Sequence, residues 1–105
     1  MPARHRIVRE ALRHYKEIET LAQESGDYVL SWGDYDISFL DLQGSLEKLS
    51  KRKKEAVLYN VILDWKQKDV AERMGITTVS VGQYVEQACL QIEEAILGRY
   101  TEERD

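Results

Sequence analysis

Residues 67–87 read QKDVAERMGITTVSVGQYVEQ, and the fold turns on this stretch. Val70, Ala71 and Met74 recur at i, i+1 and i+4, the spacing of a buried stripe on a short helix. Gly75 follows, where the chain leaves the helix through positive φ and a Cβ would be strained. Ile76 plugs the corner. The hydroxyl of Thr77 or Thr78 is placed to accept from an otherwise orphan backbone N–H at the start of a second helix. That helix is expected to bury Val81, Tyr84, Val85 and Ala88. Ala71 is small where the two helices cross, since a larger side chain would push them apart.

A short helix, a tight turn and a second helix in this order make a helix-turn-helix, whose second helix can lie in the major groove of DNA. Apolar spacing alone is shared with any helical corner of a small bundle. The order small residue, Gly, apolar residue, Thr at fixed offsets is what separates the two readings.

The chain of 105 residues has room for one domain with a modest core, and its hydrophobic content of 43% is that of a globular protein. No apolar run is long enough to cross a membrane, and no signal-peptide pattern follows the Arg-rich start, so a cytoplasmic protein without membrane partners is expected. A lone Cys89 cannot form an internal disulfide and falls on the apolar side of the last helix, as a buried structural thiol does. The net charge of −4 and pI near 5.2 argue against a nonspecific nucleic-acid coat. The charge is uneven, however. Over residues 45–75, eight basic residues against five acidic ones leave +3, and both flanks are net acidic.

Working outward, residues 4 to about 24 carry one continuous stripe (Ile7, Val8, Ala11, Leu12, Tyr15, Ile18, Leu21, Ala22), which predicts one helix stopped by Ser25-Gly26. The stretch 27–37, DYVLSWGDYDI, supports two readings: a short hairpin around Gly33-Asp34, or an ordered loop pinned by Tyr28, Trp32 and Tyr35. Asp27, Asp34 and Asp36 do not match a calcium loop, and no metal or other cofactor is expected. Ser38 is placed to cap the next helix, with Asp41 at the capping-box position. Phe39, Leu42, Leu46 and Leu49 share a face there, and Gly44 makes that helix weak or broken. Ser50 opens a further helix, KRKKEAVLYNVILDW, with Ala56, Val57, Val61 and Ile62 inward. Its basic start lies at the end of the macrodipole that disfavours cations, a conflict that either an anionic partner or simple solvation resolves. The last helix is expected over 78 to about 99, ended by Gly98, with TEERD as a frayed tail.

The expected fold is therefore all-α: an N-terminal helix plus an irregular aromatic and acidic segment over 1–44, the helix-turn-helix region over 45–100, and a charged tail over 101–105.

Residues 41–92, DLQGSLEKLSKRKKEAVLYNVILDWKQKDVAERMGITTVSVGQYVEQACLQI, resemble region 4 of bacterial sigma factors and the related helix-turn-helix of LuxR-type regulators. The residues that carry the resemblance are Leu46 and Leu49, the basic run 51–54, the apolar helix 56–62, Val70-Ala71, Met74-Gly75, Thr77 and Val81. It covers about half of the chain and leaves out the first forty residues. The resemblance implies a recognition helix presenting Thr78, Val79, Ser80, Gln83 and Gln87 outward to base edges, and Gln83 can bond adenine in a bidentate way. It implies phosphate contacts from Lys66, Gln67, Lys68, Arg52 and Lys53, extended by Lys51, Lys54 and Thr77. Sigma-type recognition helices usually carry Arg or Lys on the DNA face, whereas this one has neither between Thr77 and Leu97.

Three functions follow. The first is a small DNA-binding transcriptional regulator, phage-encoded or accessory, whose partner is double-stranded DNA. The second is a modulator that docks the same fold on RNA polymerase. The third is a homo-oligomeric packaging component of the phage small-terminase kind. An enzyme is not expected: His5 and His14 lack partners at metal spacing, and there is no glycine-rich phosphate loop, zinc signature or nucleophile motif.

Overall fold

In the computed structural model the backbone is described for residues 4–32 and 35–104, and the side chains for residues 7–31 and 36–96. The apolar stripes read from the sequence converge on the last helix, α6 (Thr78–Arg104). Before it come α1 (Arg4–Arg13), α2 (Tyr15–Ser25), β1 (Val29–Trp32), β2 (Tyr35–Ser38), α3 (Phe39–Glu47), α4 (Lys51–Val57), a π-helical turn (Leu58–Ile62) and α5 (Gln67–Met74). The fold is all-α apart from one antiparallel hairpin, paired as Val29 with Ser38, Leu30 with Ile37, Ser31 with Asp36 and Trp32 with Tyr35.

Val81, Val85, Ala88, Cys89, Ile92 and Ile96 put one face of α6 into the main core. Against it lie Val8, Ala11 and Leu12 of α1, Leu42 and Leu46 of α3, Ala56 and Val57 of α4, and Val70 and Ala71 of α5. Cys89 is fully buried, and burial pushes its thiol above the ordinary value, so it packs as a small hydrophobe. Tyr84 is half-buried at the edge of the same core.

The single N-terminal helix expected from the stripe is broken at His14, whose φ of −101° and ψ of 18° leave the helical region. Its amide is shared between the carbonyls of Glu10 at 3.3 Å and Ala11 at 3.2 Å. Neither Pro nor Gly sits there. The break follows from two packing surfaces: α1 faces the main core, whereas Ile18 and Ala22 of α2 form a second cluster with Phe39. The Tyr15 and Phe39 rings meet at 5.1 Å in that cluster. Of the two readings of 27–37, the hairpin is the one formed; its Gly33-Asp34 corner lies outside the described residues.

Asp27 ties the hairpin to α3. Its carboxylate accepts from the Ser38 hydroxyl at 2.8 Å, from its neighbour's amide at Tyr28 and from the amide of Leu40. These bonds, the Ser38 hydroxyl foremost, hold its carboxyl below the usual range. Ser38 caps α3 by accepting from the Asp41 amide, as the capping-box spacing predicts.

Three other helix expectations change. Gly44 does not break α3, which runs through to Glu47. The helix opened by Ser50 is α-helical only to Val57, then widens into the π-helical turn, where the Leu63 amide reaches back to the Leu58 carbonyl at 2.8 Å. At its far end α6 passes Gly98 and continues to Arg104, so residues 101–104 of the expected tail are helical, and Asp105 lies outside the described residues. A Gly inside a helix lowers its stability without forbidding it.

Candidate nucleic-acid interface

The corner between α5 and α6 forms as the sequence predicts. Gly75 adopts φ 69° and ψ 36°, the left-handed conformation. The Ile76 amide donates to the Ala71 carbonyl at 3.0 Å and the Gly75 amide to the Glu72 carbonyl at 3.4 Å. Those two bonds are a Schellman closure, and half-buried Ile76 supplies its apolar contact. Thr77 rather than Thr78 is the cap: its Oγ1 accepts from the Ser80 amide at 3.0 Å and donates to the Ser80 hydroxyl at 2.9 Å. The end of α5 and the Ser80 and Val81 amides of α6 are thus bonded within the corner, which holds the angle at which α6 leaves α5.

With its core face committed, α6 turns the opposite face outward. Thr78, Val79, Gln83 and Gln87 are exposed, and Val79 at 67% is the most exposed of the large hydrophobics among the described residues. Ser80 is only half-exposed because its hydroxyl belongs to the cap. Glu86 is exposed as well; it stands three residues after Gln83 and seven after Val79, on the same face. Sequence reading missed it, although that spacing marks it.

The basic residues do not form one patch. Lys66, Gln67 and Lys68 are exposed at the start of α5, beside the first turns of α6: an added Cβ on Gly82 would stand 3.5 Å from Nε2 of Gln67. Asp69 in the first turn of α5 complements its dipole, and no side chain caps that end. The run 51–54 lies elsewhere. Successive helix residues point about 100° apart, so the four cations spread around α4. Lys53 is half-buried, and its Nζ donates to Oε1 of Gln91 at 3.1 Å on the surface. Lys54 edges a groove of about 220 Å³ lined also by Tyr15, Gln43, Leu46, Glu47, Leu58 and Ile62. Lys51 and Arg52 are exposed. Gln91 is nine residues beyond Gly82, so the two basic groups stand on the order of 14 Å apart along α6.

The connector into α5 is held by its own chemistry. Asp64 takes φ 62°, a conformation Asp tolerates better than most residues. The Asn60 side chain donates to the Trp65 carbonyl at 2.8 Å, and the Trp65 amide donates to the Tyr59 carbonyl at 2.8 Å. The Tyr59 and Trp65 rings meet at 4.8 Å. The Arg73 guanidinium lies over Tyr59 at 4.6 Å and near Trp65 at 6.0 Å from the ring centres. Arg73, counted above in the positive region, therefore braces α5 against the π-helical turn. No sequence spacing announces this brace or the Lys53 to Gln91 bond, because both join elements that only folding brings together.

Among the described residues no helix is long and apolar enough to cross a membrane. None of the curated proteins and none of the solved structures compared with the chain matches it. Residues 39–92 match the family described as sigma-70, region 4, which takes in α3, the capped helix after Ser50, the connector, α5 and the first half of α6. The matched segment spans 54 of 105 residues, and the helix-turn-helix of that family, a DNA-binding domain type, corresponds to the corner described above. The chain belongs to the sigma-70 region 4 family.

Proposed function

We propose that the protein is a small transcriptional regulator that binds double-stranded DNA with the first turns of α6 in the major groove. The observation that carries this reading is the capped corner at Gly75 and Thr77, which holds the exposed side chains of Thr78, Val79, Gln83 and Gln87 beside exposed Lys66 and Lys68. Lys66, Gln67, Lys68 and the Thr77 edge of the turn grip phosphates nearest the groove, while base edges meet Val79 and Gln83. Lys51 and Arg52 add a second phosphate contact farther along α6, and Lys53 joins them by leaving Gln91. In a bacterial cell such work is cytoplasmic.

The test is binding to labelled random-sequence duplexes at low and moderate salt, with a Lys66→Glu, Lys68→Glu double variant alongside. Binding should fall steeply with salt, and the variant should lower the slope of log affinity against log salt by about 2, one for each phosphate contact removed. No binding at low salt would refute the reading.

A second reading, docking on RNA polymerase without strong DNA binding, is favoured by one observation. The outward side of α6 has no basic residue between Thr77 and Leu97 and carries exposed Glu86 and Glu94, whose charge opposes phosphates. Salt-insensitive binding to polymerase by a protein that ignores DNA would select it.

A further inference from the structure

We infer that α6 reads a thymine: the Val79 isopropyl group packs on the C5-methyl of thymine while the Gln83 carboxamide bonds a nearby adenine, so the favoured site carries adjacent A·T pairs. This rests on the reading of α6 as the recognition helix. Val79 is 67% exposed, against 53% or less for the other exposed large hydrophobics of the described residues. Its neighbours Val81 and Val85 are buried, so the helix already has its core contacts, and Val79 belongs to none of the apolar clusters. It lies in the first turn of α6, where a recognition helix meets base edges.

Gln83 follows four residues later and is exposed. Side chains at that spacing stand about 5–6 Å apart, and stacked bases about 3.4 Å, so the two reach bases one or two steps apart. The chemistry of the face selects the base. Guanine is read chiefly by the forked or multiple donors of Arg or Lys at O6 and N7, and residues 77–97 contain neither. What remains is an apolar group, which matches only the thymine methyl in the major groove, and a carboxamide, which matches N6 and N7 of adenine. Glu86, one turn beyond Gln83, would accept from cytosine N4 and limits how far along the site the A·T preference extends.

The experiment starts from the tightest duplex selected by the full-length protein from a random pool. Each thymine in it is replaced in turn by deoxyuridine, which removes only the methyl. At one position affinity should fall about fourfold, the equivalent of roughly 0.8 kcal/mol for one buried methyl-sized group. In Val79→Ala, which shortens the apolar group at an exposed site and leaves the core untouched, the same replacement should have a clearly smaller effect while far-UV circular dichroism stays native. Selected binding that is indifferent to every thymine methyl overturns the inference and leaves DNA recognition by α6 standing. Undiminished methyl dependence in Val79→Ala overturns it too, since another group then makes the contact. Failure to select any duplex at low salt overturns both this inference and the DNA-binding reading beneath it.

Discussion

Gly82 is the fifth residue of α6, and replacing it by Ala is expected to stabilise the protein. In a helix interior Ala is favoured over Gly by about 0.8–1.0 kcal/mol, because Gly loses more backbone freedom on folding. The gain survives only if the new methyl fits. The nearest atom to an added Cβ is Nε2 of Gln67 at 3.5 Å, an ordinary van der Waals contact at the end of a flexible side chain. Gly82→Ala should therefore raise stability by about 1 kcal/mol, which for a chain of this length corresponds to a thermal midpoint higher by about 4 °C. Gly44→Ala in α3 is the control, since nothing lies within 4 Å of its added Cβ. Both are measured by urea unfolding followed by circular dichroism, where a stability change shifts the midpoint at constant slope. A lower midpoint for Gly82→Ala beside a higher one for Gly44→Ala would refute the reasoning, because α5 and α6 would then approach more closely than the structure has them. Duplex binding by the stabilised variant adds a functional measure: the methyl abuts Gln67, so weaker binding at higher stability would show that this glycine serves the interface.

Two further expectations rest on local geometry. Gly75→Ala puts a Cβ into the left-handed region at φ 69°; the site is open, so only backbone strain enters, and the loss should be about 1–2 kcal/mol in the same urea experiment, with Gly75→Asn losing less. Asp27 has its carboxyl lowered first by the Ser38 hydroxyl and further by the amides of Tyr28 and Leu40. A carboxylate with a depressed folded pKa contributes stability above its unfolded value near about pH 4, and that contribution disappears as pH falls through the folded value. Asp27→Asn and Ser38→Ala should each flatten the acid limb of a stability–pH curve, and an unchanged limb in both would remove Asp27 from the account.

The helix-turn-helix was legible because every device in it is local. Val70, Ala71 and Met74 mark one helix face. The left-handed turn at Gly75 needs only residues 71–76, and the Thr77 cap reaches three residues to the Ser80 amide. Such interactions leave a spacing in the sequence whatever the rest of the chain does. The caps at Ser38 and Ser50 were readable for the same reason. The outward face of α6 was legible as the complement of its buried stripe, with Glu86 passed over although it obeys the same spacing.

What the sequence by itself determined, then, is the capped starts of α3 and α4, the corner between α5 and α6, and which residues α6 keeps for its core. Tertiary structure decided the rest, because it depended on partners far away in the chain. One amphipathic stripe became two helices at His14 since α1 and α2 serve different clusters. The basic run 51–54 was divided, with Lys51 and Arg52 exposed and Lys54 at a groove, because α4 packs on α6 with Lys53 against Gln91, 38 residues away. Arg73 became a brace over Tyr59 and Trp65 because the π-helical turn and the bent connector deliver those rings to it. Periodicity reports which face of a helix is buried; only packing reports what it is buried against, and so which cations remain on the surface for a nucleic acid.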